Sequence, residues 1–192
     1  MAAVQVRKRL LFGSLAVSAV VSVAVGWAIA QNDSSGGTPS NGTRDTADVG
    51  IIETNAKNEG KPLPDVTVQD IDGHDIALSS LGDGPVIVNV WTSTCIPCKD
   101  ELPDFAAAHT IYGDRVHFVG VDILGPIDTE ESFARTLGVK YDLYYDGNGE
   151  FLVATGLNAF PVTLIIDNGV IIHQTGRLSA EQLDVYLQEL LT

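Results

Sequence analysis

The chain has 192 residues, with 25 acidic against 11 basic side chains and a formal net charge of −14 with histidine neutral. That length allows one or two domains, and so acidic a surface argues against nucleic-acid binding and against docking on anionic lipid. With 2 cysteines and 4 histidines in all, a zinc site built from four cysteines is excluded by count.

Leu10 to Ala30 is an apolar run without a formal charge, preceded by Arg7-Lys8-Arg9 and followed by Gln31-Asn32-Asp33. It matches the roughly 20 residues needed to cross a bilayer, and its basic flank belongs on the cytoplasmic side. Residues 1–30 are therefore expected to be a membrane anchor, crossing once through residues 10–30, with the rest of the chain on the extracytoplasmic side. Ala28-Ile29-Ala30 also reads as the cleavage site of a signal peptide, which would leave a secreted protein. The anchor is preferred because the apolar run exceeds the usual ~7–15-residue signal core. Both readings put the domain on the same side, and no cysteine lies nearby to carry a lipid.

Residues 31–60 are rich in Ser, Gly, Thr, Asn and Asp and are expected to form a flexible linker. Globular patterning starts at Lys61 and defines a single domain over residues 61–192. Val66-Thr67-Val68 and Ile76-Ala77-Leu78, with the Asp72-Gly73 turn between them, predict a β-hairpin. Pro85 to Trp91 is a nearly continuous apolar run, as in a central strand covered on both faces.

A helix toward Tyr112 follows, with Pro103 expected to kink it. Val116 to Val121 predicts a second buried strand. Thr129 is placed to cap a helix through about Leu137, ahead of an aromatic strand near Tyr141 to Tyr145 and a short helix near Glu150 to Thr155. Val162 to Ile166 and Val170 to Ile172 form a second hairpin around Asp167-Asn168-Gly169. In the last helix Ser179 and Gln182 make a capping box, and Leu183, Tyr186, Leu187, Leu190 and Leu191 share a face. The order defines an α/β domain with a mixed sheet, parallel strands joined by helical crossovers and an antiparallel hairpin at one side.

The chemistry lies in Cys95-Ile96-Pro97-Cys98. A disulfide closing so short a loop removes little entropy from the unfolded chain and makes a poor staple, so a reactive pair is the better reading. Cys95 falls just after a buried strand at the start of a helix, where unpaired N–H groups and the helix dipole favour a thiolate. It is the expected nucleophile. Cys98, one turn on, can resolve a mixed disulfide, and Pro97 suits an early helical position because it has no N–H to leave unpaired. His74, His109, His117 and His173 show no H-x3–5-H spacing, so no metal site is expected.

V-I-V-N-V-W-T-S-T-C-I-P-C-K-D-E-L-P, with G-L-N-A-F-P-V-T-L-I-I-D far downstream, resembles the TlpA/ResA-like family of membrane-tethered thioredoxin-fold proteins. The resemblance covers roughly residues 61 to 192. It implies a thioredoxin-like fold with an N-terminal β-hairpin and a central insert near residues 122 to 146. It also implies that Cys95 is the exposed attacking thiol and Cys98 the resolving one. Pro161 would match the cis-proline facing the disulfide, although only about 5 % of X–Pro bonds in folded proteins are cis, and Phe160 would line the substrate groove.

Glu101 would be the proton acceptor for the buried thiol; read without the resemblance, it is equally a first-turn acid complementing the helix dipole. Asn89 stands where thioredoxin has a buried aspartate, which shifts proton transfer toward Glu101. Thr94 departs from the second tryptophan of most relatives. Trp91 by itself reads as a core aromatic; beside the motif it joins Thr94, Ile96, Pro97 and Phe160 as an expected substrate contact.

The resemblance implies a reductant of exported protein thiols and disulfides, in this family often the haem-attachment cysteines of apocytochrome c. It would use a membrane thiol electron donor or acceptor and no cofactor beyond the Cys95–Cys98 disulfide. A disulfide-forming oxidant has the same chemistry in reverse. A peroxiredoxin-like peroxidase is suggested by P-L-P-D-V-T-V-Q-D-I-D-G, although the adjacent Cys98 favours dithiol exchange. A Sco-type copper-binding module would need C-x-x-x-C and a distal histidine.

Overall fold

The computed structural model describes residues 55–81, 84–125 and 127–192. The expected anchor over residues 10–30 and most of the expected linker lie outside these residues. Among the described residues no helix is long and apolar enough to cross a membrane.

The N-terminal hairpin is β1 (Thr67–Gln69) paired antiparallel with β2 (Asp75–Ala77). A 3-10 turn over Leu78–Leu81 leads to β3 (Val86–Trp91), in which all six residues are buried. Then come α1 (Ile96–Tyr112), β4 (His117–Asp122), α2 (Ile127–Thr136), β5 (Asp142–Tyr145) and α3 (Glu150–Thr155). The second hairpin, β6 (Val162–Asp167) and β7 (Val170–Thr175), precedes α4 (Ala180–Leu190). The strands form one mixed sheet in the order β2-β1-β5-β4-β3-β6-β7.

β3 lies between β4, its parallel neighbour, and β6, its antiparallel one. Helices on both faces explain why β3 shows no polar alternation. Ile87 and Trp91 point into the core of Phe105, Phe118, Leu183 and Leu187, whereas Val86, Val88 and Val90 point into that of Val119, Phe151, Leu164 and Ile171. Burying each such side chain stabilises the fold by about 1.5–3 kcal/mol. In the second hairpin Asn168 and Gly169 both have positive φ, 48° and 74°, the conformation a two-residue turn demands. The capping box at α4 is formed as expected, with Ser179 Oγ accepting the Gln182 N–H.

Two expectations need correction. The ordered domain begins before Lys61: the Asn55 and Asn58 side chains are buried, Gly60 N–H donates to the Ile171 carbonyl, and Leu63 N–H donates to that of Gly169. Residues 55–60 look like linker by composition because they dock through hydrogen bonds, lining an outer strand whose own groups would otherwise lie open. Next, α2 starts at Ile127, which places Thr129 inside the first turn rather than at the cap. The helix α1 runs from Ile96 through Pro103 to Tyr112, the extent expected. Pro103 is exposed, so the bond its ring denies to the Lys99 carbonyl is lost where water can replace it.

Candidate active site at the strand-to-helix turn

The loop Thr92–Thr94 leaves the buried end of β3 and delivers Cys95 to the N-terminus of α1. Cys95 is the N-cap, with extended backbone (φ −83°, ψ 108°), and its N–H closes a turn onto the Thr92 carbonyl at 3.1 Å. Its Sγ accepts the Cys98 N–H at 3.2 Å. A sulfur in this place meets an unpaired helical donor and the positive end of the dipole, both of which favour a thiolate. Pro97 occupies the first turn.

Cys95 and Cys98 form a disulfide with Cα atoms 5.3 Å apart. The two sulfurs are unequal: Cys95 is half-buried, whereas Cys98 is fully buried in the core. An incoming thiol or disulfide can therefore reach Cys95 and not Cys98.

Glu101 lies one helical turn beyond Cys98 and is fully buried. Its carboxylate accepts the Asn89 side-chain N–H at 2.7 Å and the Leu178 N–H at 3.1 Å. Burial pushes it up to about 7, against the pull of those two hydrogen bonds and of the Arg177 guanidinium. A carboxyl balanced near neutrality can take up and release a proton under ordinary conditions. As a surface acid serving only the helix dipole, Glu101 would be exposed.

Phe160–Pro161 is a cis peptide. Val162 pairs with Val90, so this bond lies beside the end of β3 from which the cysteine loop departs. Pro161 is buried, and half-buried Phe160 packs against the same core as Cys95. Asn55 secures the preceding loop: its side-chain oxygen accepts the N–H groups of Asn158 and Ala159 at 2.8 and 2.9 Å, and its Nδ2 donates to the Ala159 carbonyl at 2.8 Å.

Thr94, Ile96 and Pro97 are exposed around Cys95 in sequence, Ile96 by 71 %. Trp91 is different. At 1 % exposure it has no surface to offer a substrate and stacks on Phe133 with ring centroids 6.2 Å apart, so its expected substrate contact gives way to its core reading.

Sequence reasoning missed a second buried carboxyl group on the other flank of the loop. Asp122, paired with Trp91 across the sheet, lies against Glu130 of α2. Glu130 in turn accepts the Ser93 N–H at 2.7 Å and the Ser93 hydroxyl at 2.6 Å. Nothing in the local pattern marks Glu130, because an acid in the first turn of a helix is ordinarily a solvated partner of the dipole.

Among the described residues one carboxylate–imidazole group has metal-like spacing. Asp70, Asp72 and His74 bring ligand atoms within 4.8 Å of one another at the first hairpin turn. There Asp70 is already accepting the N–H groups of Asp72 and His74, at 2.9 and 2.8 Å, so the cluster is explained as a turn.

A mixed thioredoxin-like sheet, a C-x-x-C disulfide at a helix N-terminus with one reachable sulfur, and a cis-proline beside it define a thiol–disulfide oxidoreductase of thioredoxin fold. The chain belongs to the AhpC/TSA family, whose profile matches residues 60–174. It is 28% identical over 143 residues to the thiol-disulfide oxidoreductase ResA of Geobacillus kaustophilus, an alignment covering 73% of this chain and 82% of that protein. It is also 28% identical over 125 residues to the sporulation thiol-disulfide oxidoreductase A of Bacillus subtilis, covering 62% and 75%. The crystal structure of StoA from Bacillus subtilis superposes with a TM-score of 0.55 at 26% identity, over 65% of this chain and 98% of that one. A thiol:disulfide interchange protein from Chlorobium tepidum shares the fold with a TM-score of 0.61 at 23% identity, over 71% of this chain and all of that one.

Proposed function

We propose that the protein reduces disulfides of exported proteins outside the cytoplasmic membrane, with Cys95 attacking, Cys98 resolving and Glu101 taking the Cys98 proton. The observation that carries this reading is the buried Glu101 carboxyl, held near neutrality one turn beyond a cysteine that solvent does not reach.

In the reduced protein the Cys95 thiolate attacks one sulfur of a substrate disulfide. A Cys95–substrate bond forms and the other substrate sulfur leaves as a thiolate. Cys98 then gives its proton to Glu101 and attacks the Cys95 sulfur, releasing the second substrate thiolate and leaving the Cys95–Cys98 disulfide. Two electrons pass to the substrate, and the proton on Glu101 returns to solvent or to a released thiolate. A second dithiol, on a membrane electron donor, restores the reduced state by the same steps in reverse.

Thr94, Ile96, Pro97 and Phe160 supply the substrate contacts in this reading, Pro161 shapes the groove, and residues 10–30 tether residues 61–192 and the docked segment before them to the membrane. Apocytochrome c thiols are one substrate of the right chemistry. Direction is tested by the reduction potential of the Cys95–Cys98 pair, measured by equilibration with dithiothreitol or glutathione. A value near the thioredoxin end, about −270 mV, supports a reductant; one near the DsbA end, about −120 mV, makes the protein an oxidant.

A further inference from the structure

Ser93, two residues before Cys95, hangs from Glu130 by two short hydrogen bonds, from its N–H at 2.7 Å and its hydroxyl at 2.6 Å. Glu130 is itself held. The Asp122 carboxyl lies against it: Asp122 Oδ2 accepts the N–H groups of Leu124 and Gly125 at 3.4 and 3.2 Å, and the buried Oδ1 receives no protein donor. Gly125 is the only residue type that leaves room: a Cβ there would stand 2.5 Å from Glu130 Cγ and 2.7 Å from Oε1. Both acids are buried, at 3% and 5% exposure. Two carboxyl groups in contact cannot share a hydrogen bond unless one keeps a proton.

We propose that Asp122 and Glu130 act as one proton-sharing pair that positions the Thr92–Cys95 turn, with the protonated Asp122 donating to Glu130 and Glu130 holding Ser93. They are positioning residues, acting on Cys95 through the turn its N–H closes with Thr92. In naming Cys95 as the group served, the proposal rests on the function given above.

The titratable groups on the elements around the pair are Lys99, Asp100, Glu101, Asp104, His109 and Tyr112 of α1, His117 of β4, Asp128, Glu131 and Arg135 of α2, and Asp142, Tyr144 and Tyr145 of β5, with Tyr141 before that strand and Asp146 after it. Arg135 is paired with Glu131 at 3.1 Å, and the Asp146 carboxylate accepts the N–H groups of Phe151 and Leu152. Glu130 is the charged neighbour that acts on Asp122, adding to the larger effect of burial, and together they raise Asp122 to about 7. Above that pH two buried charges would face each other and the hold on Ser93 would loosen.

The test is an NMR pH titration of backbone amides in the oxidised protein, in which neither cysteine titrates. The Ser93 and Cys95 amide signals should move together with a midpoint near pH 7. Asp122→Asn keeps a permanent donor to Glu130 and should remove the step while leaving Ser93 at its low-pH position. Gly125→Ala, at a backbone conformation open to any residue, should displace Glu130 and abolish the step independently. Glu101→Gln should leave the step in place. A flat Ser93 signal in the wild type, a step surviving in Asp122→Asn, a step lost in Glu101→Gln, or a Ser93 step that Cys95 does not follow would each overturn the proposal. None of these readouts requires thiol exchange, so they stand or fall separately from the catalytic reading.

Discussion

The side-chain amide of Asn89 donates to the Glu101 carboxylate at 2.7 Å inside the sheet–helix core. Both residues are fully buried, so the carboxyl is removed from water yet keeps a directed donor. Burial wins over hydrogen bonding in setting its proton affinity. In the proposed mechanism this places a carboxyl able to exchange a proton near neutrality a turn away from the sulfur that must lose a proton before it attacks.

Replacing Glu101 by Gln preserves shape and removes the acceptor. The resolving step at pH 7 is expected to slow by about 10²–10⁴-fold, the usual contribution of a positioned base, with the first attack by Cys95 little changed. Stopped-flow measurement of mixed-disulfide decay separates the two steps. Equal decay rates in variant and wild type would remove Glu101 from the mechanism.

The same residue should govern how stability depends on pH. Its folded-state value of about 7 lies above the ordinary 4.5, so between these values the folded protein holds a proton that the unfolded chain has released. Its contribution is therefore complete below about pH 4.5 and is lost as pH rises through 7, by about 3 kcal/mol at most. Asp122, also raised to about 7, acts with the same sign. Urea unfolding of Glu101→Gln from pH 4.5 to 8 should show a shallower decline than the wild type; an unchanged slope contradicts the burial argument.

Cysteine exposure predicts an asymmetric trap. Cys98→Ser should accumulate a mixed disulfide through Cys95 when offered an oxidised peptide, visible by mass, because Cys95 is the reachable sulfur. Cys95→Ser should form almost none, since Cys98 is fully buried. Adducts of similar yield in both variants would show that the buried sulfur is accessible after all.

Asn55 is expected to matter despite its place in a linker-like stretch. Asn55→Ala removes three hydrogen bonds to the loop that carries Phe160 and Pro161, and should lower unfolding free energy by about 1–3 kcal/mol. A chain shortened to begin at Lys61 should lose at least as much. A denaturation midpoint unmoved by either change would mean that the segment docks without holding anything.

The difference between what was readable and what was not follows the range of the interactions. The hairpin at Asp167-Asn168-Gly169, the capping box of Ser179 and Gln182, and the buried run of β3 are local in origin, and each formed where its residues indicated. Residues 55–60 were misassigned because their docking uses polar side chains, which composition equates with linker. Trp91 was ambiguous because one aromatic beside a motif looks the same whether it faces the core or the groove.

By itself the sequence determined the redox pair, its place at the start of a helix and the order of strands and helices, because turn chemistry, capping and hydrophobic period act over a few residues. Only the tertiary structure decided what surrounds that pair. Glu101 meets Asn89 across 12 residues and Leu178 across 77, Ser93 meets Glu130 across 37, and Asn55 meets Ala159 across 104. Those contacts exist because sheet register brings distant segments to the end of β3, and burial there turns ordinary surface-type acids into groups that hold a proton near neutrality.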